Sequence, residues 1–197
     1  MGTVDSPPLD AGVVSAPAPR RFSIDEYHRL LETGILHEDE HVELLEGVVV
    51  QMSPQQERHA RTIERLTRWL VRALGDEHRV RPQLPLSFAD SVPEPDIAVV
   101  PASAGDSPDD HPTSALLVIE VSGSSLSFDR TVKARIYARA RIPEYWIVDV
   151  AGRAVEVHRD PDAAAGSYRS TLTLKAGDRL TAATLSDLVI PVAALFD

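Results

Sequence analysis

The sequence predicts a mixed α/β fold of the α+β type, in which helices flank a mostly antiparallel β-sheet. Three observations indicate this class. Short apolar runs typical of strands recur along the chain, amphipathic segments show helical periodicity, and glycines and prolines separate them. With 197 residues and 43% hydrophobic content, the chain can form one domain with a substantial core. We expect a single domain over residues 21–197 and a disordered, proline-rich tail over residues 1–20.

The predicted elements are separated by turn residues. Ser23 and Glu26 form a capping box that starts the first helix. Because proline is excluded from central strands, residues 79–89 are expected to form an edge strand. The elements expected in chain order are a helix ending at Gly34, two strands within 41–52 around a Glu46-Gly47 turn, a helix over 55–74, the edge strand, buried strands over 95–100 and 115–121, a helix over 129–141, strands over 144–150, 154–160 and 168–174, and a last short strand with a helical turn.

Composition excludes several classes of protein. The chain has no cysteine, so it has neither a disulfide nor a thiolate metal site. No apolar run approaches the ~18 residues that span a bilayer, and the first residues lack the pattern of a signal peptide, so we expect a cytoplasmic protein. The net charge is -10, which means that a polyanionic partner must be met by a local basic patch or a metal ion.

Two acidic residues lie at the margins of buried strands. Asp96 follows Pro95 and begins one apolar run, and Glu120 closes another. If the strands are adjacent, the two carboxylates converge, and one of them protonates unless a cation intervenes. Mg²⁺ takes one or two protein carboxylates at ~2.0–2.1 Å. The alternative interpretations are structural: Asp96 as a turn cap and Glu120 as the partner of an arginine.

Three more residues are candidates for the same site. Lys133 lies one turn into the helix after Glu120, at the border of a packing face formed by Val132, Ile136 and Ala140, and the alternative is a surface lysine. His59 shares the helical phase of inner-face leucines, and the alternative is a core histidine. Glu43 shares a strand face with Leu45 and is preferred over Glu46, which precedes the turn glycine.

The helix predicted over 55–74 also carries a stripe of arginines that begins with Arg58, Arg61 and Arg65. Such a stripe is commonly a solvated helix face. In an acidic protein it is nevertheless the best local surface for binding phosphates, so we assign these three residues to nucleic-acid binding.

Several segments resemble the Uma-two family of restriction endonuclease-like proteins, an offshoot of the PD-(D/E)XK nuclease superfamily. They are "VELLEGVVVQMSP", "PEPDIAVVP", "LLVIEVSGSSLSFDRTVKARIYARARIPEYWIVD" and "VEVHR". The resemblance implies a nuclease-like core with a Mg²⁺ site at Asp96 and Glu120, and Glu43 or Glu46 as the early acid. The superfamily lysine expected at position 122 is replaced by Ser122, and Lys133 fits its relocation to the next helix.

These interpretations lead to three functional hypotheses. The first is a Mg²⁺-dependent DNA endonuclease, with Mn²⁺ as a substitute, in which Asp96 and Glu120 bind the ion and Lys133, Glu43 and His59 assist. It acts as a homodimer, because a two-fold enzyme matches a two-fold duplex. The alternatives are a catalytically inactive nuclease fold with a binding or regulatory role, and a metal-dependent hydrolase of another substrate.

Overall fold

The computed structural model describes residues 19–52, 57–104, 111–185 and 188–196. Helices and strands follow the predicted order closely. The elements are α1 (Ile24–Glu32), a 3₁₀ turn (Glu38–Glu40), β1 (Val42–Leu45), β2 (Val48–Gln51), α2 (Glu57–Ala73), β3 (His78–Pro82), β4 (Ile97–Pro101), β5 (Leu117–Ser122), α3 (Leu126–Phe128), a π-helical turn (Asp129–Lys133), α4 (Ala134–Arg139), β6 (Glu144–Asp149), β7 (Ala154–Asp162), β8 (Ser167–Lys175), β9 (Arg179–Thr181), β10 (Val189–Pro191) and a 3₁₀ turn (Val192–Leu195).

Six strands form the main sheet in the order β3-β4-β5-β6-β7-β8. Neighbours run antiparallel except β5 and β6, which are parallel. A parallel pair requires a crossover connection, and residues 126–139 supply it as a continuous helical run, here called the crossover helix. β3 lies at the edge of the sheet, as the prolines of its sequence predict.

Two layers cover the sheet, one on each face. α2 and the C-terminal segment pack on one face, and the crossover helix and the β1–β2 hairpin pack on the other. Alternation along β5 places Ile119 in the first layer and Val118 in the second. Glu120 lies two residues after Val118 and therefore on the same face of β5, so its side chain faces the crossover helix.

The hairpin and first helix form as predicted. Ser23 and Glu26 make the capping box of α1. β1 and β2 pair antiparallel, and Glu46 and Gly47 adopt φ values of 49° and 75° in the turn between them. Two successive positive φ values are typical of the tight turns that match strand twist. The hairpin therefore holds Glu43 and Glu46 at fixed positions above the sheet.

The crossover helix differs from the prediction in its bounds and its phase. It begins at Leu126 rather than at residue 129 and ends at Arg139. Its π-helical turn is wider than an α-helical turn, so the faces expected from a 3.6-residue period shift. As a result Lys133 and Tyr137 occupy the centre of the buried face, and Val132 and Ala140 border it. The expectation that Lys133 lies at the border was wrong.

Four predicted segments lie partly outside the described residues: the tail up to residue 18, the start of the second helix at 53–56, residues 105–110 between the two buried strands, and residues 186–187 and 197 of the closing segment. Across the described ranges, no helix has both the length and the apolar character needed to span a membrane.

Candidate functional site

Asp96 and Glu120 meet where β4 and β5 separate. The register pairs Ile97 with Ile119, so Asp96 lies opposite Glu120. The backbone N–H of Asp96 donates to Glu120 Oε2 at 3.3 Å, and that of Val121 donates to Asp96 Oδ2 at 2.7 Å. Each carboxylate thus accepts a backbone N–H at the end of the ladder, and the two acids converge as predicted. Glu120 lies within β5 rather than at its last residue.

Lys133 lies between two carboxylates. Its side chain is 1% exposed, and its Nζ is 2.7 Å from Glu43 Oε2 and 3.2 Å from Glu120 Oε1. Burial favours the neutral amine, but Glu120 and Glu43 together outweigh it and raise the pKa of Lys133. The ammonium therefore remains charged near neutral pH, which excludes a role as general base and suits electrostatic stabilisation.

Glu43 rather than Glu46 is the hairpin acid of this network. Glu43 accepts from Lys133 Nζ at 3.0 Å and from the backbone N–H of Glu94 at 3.0 Å. Glu46 points elsewhere and forms ion pairs with Arg135 and Arg139. The strand-face argument that favoured Glu43 thus agrees with the geometry.

Tyr137 belongs to the network but is not among the predicted site residues. Its hydroxyl donates to Glu120 Oε1 at 2.6 Å. Burial, reinforced by Glu120, raises its pKa well above the ordinary value, so the phenol keeps its proton. A signal was present in the sequence, because Tyr137 follows Lys133 by four residues and therefore shares its helix face.

The surroundings of Glu120 favour its neutral form. Burial raises the pKa of Glu120 to about 8, with Asp96, Asp129 and Glu43 adding to the effect against the opposing charge of Lys133. Asp129 is itself buried and accepts hydrogen bonds from Ser122 and Ser125. Ser122, at the position where the resemblance led us to expect a lysine, donates to Asp129 in the first half of the crossover helix.

His59 contacts Asp96 from the opposite layer. Its Nε2 lies 2.9 Å from Asp96 Oδ1, and its side chain is 19% exposed. α2 packs on the other face of the sheet, and His59 lies in the first turn of its described residues. His59 is thus in contact with the site, although its helix lies on the opposite side of the sheet from Glu120.

The three arginines assigned to nucleic-acid binding lie outside this network. Arg61 pairs with Glu57, Arg65 donates to the carbonyl of Leu195 at 3.3 Å, and Arg58 is exposed. Part of the stripe's charge is therefore offset within the protein itself.

The donor set fits a divalent cation of the Mg²⁺ type. Glu43, Asp96 and Glu120 bring three carboxylates together with one ammonium, so ionising all three leaves an excess of two negative charges. Glu120 Oε2 and both oxygens of Asp96 each have one polar contact, so each of them retains a lone pair. Within the described ranges no three histidine or acidic side chains surround a common point closely enough to form a cage. Mg²⁺ does not require a cage, since it keeps several waters and uses one or two carboxylates.

The fold and this arrangement of acids define a nuclease-like α+β protein. The chain is similar to the crystal structure of "a putative nuclease belonging to DUF820" from Anabaena variabilis ATCC 29413, with a TM-score of 0.69 and 17% identity over 89% of this chain and 97% of that chain. Residues 24–193 match the Uma2 family, described as "Putative restriction endonuclease". The chain belongs to this family. The comparison with curated proteins gives no match.

Proposed function

We propose that the protein is a cytoplasmic, Mg²⁺-dependent endonuclease that hydrolyses phosphodiester bonds of DNA. The observation that carries the proposal is the buried network in which Lys133 joins Glu43 to Glu120 beside Asp96. A stable fold does not need three carboxylates around one lysine, since a buried charge that lacks full compensation is destabilising. Membership of the family supports a nuclease, and the acids supply hard oxygen ligands.

In this proposal Asp96 and Glu120 hold the metal ion. Bound there, Mg²⁺ would supply a Lewis acid at the scissile phosphate and would offset the charge of both carboxylates. Lys133 fixes the orientation of Glu120 and adds a permanent positive charge to the site. His59 orients Asp96 through its Nε2 contact. Tyr137 donates to the same oxygen that Lys133 contacts, Glu120 Oε1, and helps to fix its orientation.

Supercoiled plasmid tests the proposal. The wild-type protein should nick or linearise plasmid in Mg²⁺ and not in EDTA, and Asp96→Asn should reduce the rate by more than about 100-fold because it removes ligand charge. Glu57→Gln is the matched control, since it removes one negative charge from an exposed position beside His59 in sequence. Cleavage that persists in EDTA would contradict the proposal. Hydrolysis of small phosphodiesters without plasmid cleavage would indicate that the substrate is not DNA.

We also propose that the active form is a homodimer, because a two-fold enzyme matches the two-fold symmetry of a duplex and presents one active site to each strand. Light scattering at micromolar concentration should give twice the monomer mass of 21.5 kDa. A mass equal to the monomer's would contradict this assembly.

A further inference from the structure

Three arginines from two distant parts of the chain converge on Glu46. Arg135 donates from Nε and Nη2 to the two carboxylate oxygens at 2.8 and 2.7 Å, and Arg139 Nη1 donates to Oε1 at 2.8 Å. Arg21 donates to the backbone carbonyl of the same glutamate. These bonds leave most of the fifteen or so N–H donors that three guanidinium groups carry, about five each, without a bond to Glu46.

The three arginines line an open cavity of about 350 Å³ whose lining is entirely charged: Arg21, Glu46, Asp90, Arg135 and Arg139. Three guanidinium groups face two carboxylates, so the cavity carries a net charge of +1 in a protein of net charge -10. The hydrogen bonds from Arg135 lower the pKa of Glu46, with burial opposing and the other arginines assisting. An apolar ligand has nothing to contact here, whereas a small anion does.

Two glycines allow the backbone to pack closely against the arginine side chains, because a Cβ at either position would collide with them. A Cβ at Gly166 would lie 2.9 Å from Arg135 Cγ and 3.2 Å from Arg139 Nε, and the residue has a φ of +63°. A Cβ at Gly47 would lie 2.7 Å from Arg21 Cβ. The guanidinium groups are thus positioned by Glu46 and by two turns, which lowers the entropic cost of binding an anion.

This cavity is built on the same elements as the candidate active site. Glu46 follows Glu43 by three residues on the hairpin. Arg135 follows Lys133 by two residues on the crossover helix. The hairpin and the crossover helix therefore each contribute one residue to both places.

We propose that Arg21, Arg135 and Arg139 form a binding site for an internal backbone phosphate of the DNA substrate, separate from the scissile phosphate. The inference rests on the proposed nuclease function. Arginine suits this role because its planar fork matches phosphate oxygens in a bidentate geometry. Glu46 is a positioning residue that keeps two of the forks oriented before the DNA arrives.

DNA binding without cleavage tests the site. Fluorescence anisotropy with a short labelled duplex, in EDTA, should show that Arg139→Gln raises Kd by at least about fivefold. The double variant Arg21→Gln/Arg139→Gln should raise it further. The slope of log K against log[salt] should fall in magnitude by ~0.9 for each phosphate that the variant no longer neutralises. Arg139 is about half exposed, and circular dichroism should show that its variant keeps the fold.

Arg169→Gln is the matched control. Arg169 is an exposed arginine paired with one acid, Asp162, as Arg139 is with Glu46, but it lies on β8 and does not line the cavity. The Kd of this variant should remain within about twofold of the wild-type value. The proposal is overturned if Arg139→Gln binds as the wild type does, or if Arg169→Gln loses as much affinity.

Duplexes with and without a 5′-phosphate identify which phosphate is bound. An internal phosphate predicts equal Kd values for the two, and binding that requires the terminal phosphate overturns the assignment. The outcome is separable from that of the nuclease proposal. If Arg139→Gln weakens DNA binding but the wild-type protein cleaves no plasmid, the phosphate site stands and the nuclease proposal fails. If the wild-type protein cleaves plasmid but Arg139→Gln binds DNA as tightly as the wild type, only the phosphate site fails.

Discussion

Replacing Glu120 with glutamine should remove divalent-ion binding and reduce plasmid cleavage by more than about 1,000-fold, because the amide keeps the shape of the carboxyl but not its charge. In thermal unfolding, Mg²⁺ or Mn²⁺ should raise the Tm of the wild-type protein and leave that of Glu120→Gln unchanged. Glu57→Gln, an exposed acid outside the network, should keep both the Tm shift and the activity. A Glu120→Gln variant that retains the metal-induced Tm shift would show that the ion binds elsewhere.

The same substitution should change how stability depends on pH in the absence of metal. Burial raises the pKa of Glu120 to about 8 from an ordinary value of 4.5. A carboxyl that binds its proton more tightly in the folded state contributes stability that is fully present below pH 4.5 and is lost as pH rises towards 8. Glutamine does not titrate, so the stability of Glu120→Gln relative to wild type should increase between about pH 5 and 8, by at least ~1 kcal/mol. Urea unfolding at several pH values measures this difference, and parallel pH profiles would contradict the assigned protonation.

Lys133→Met should abolish cleavage and also destabilise the fold. Because the ammonium is fully buried between Glu43 and Glu120, its removal leaves the Glu43 carboxylate and the buried carboxyl of Glu120 without the cation that both contact. Breaking a buried ion pair on one side costs about 3–5 kcal/mol. Lys133→Arg should not restore activity, since a larger planar group replaces a compact ammonium in a packed site. Plasmid cleavage and urea unfolding measure the two effects.

A second substitution separates the two roles of Lys133. The double variant Lys133→Met/Glu43→Gln lacks one of the uncompensated charges, so it should regain part of the lost stability while cleavage remains absent. Together with the wild type and the two single variants, Lys133→Met and Glu43→Gln, it completes a double-mutant cycle. Cleavage at the wild-type rate by Lys133→Met would show that the site functions without this charge.

The acids of the site could be predicted because their positions follow from local patterns. Apolar runs that stop at Asp96 and contain Glu120 place both at strand margins, and adjacency of the strands brings them together. The helical period alone places His59 on the inner face of its helix, and the alternation of side chains along the strand alone favours Glu43 over Glu46. These inferences need only the periods of the helix and the strand.

The residues that the sequence did not reveal depend on geometry that those periods do not contain. The π-helical turn ends at Lys133, and a uniform 3.6-residue period, which places Lys133 at the border of the packing face, does not predict its burial at the centre. The arginine cavity brings Glu46 to Arg135 across 89 residues of sequence. No local pattern encodes that pairing, and the stripe that the sequence does display lies on α2, a different helix from the one that carries Arg135.

The central claim is that Asp96 and Glu120 share one divalent ion. The most direct measurement is anomalous diffraction from crystals of the wild-type protein soaked in Mn²⁺. We expect a single strong peak between the two carboxylates, at ~2.0–2.2 Å from an oxygen of each, with Lys133 still in contact with Glu43. A peak elsewhere in the molecule, or no peak at a Mn²⁺ concentration that supports plasmid cleavage, would contradict the claim.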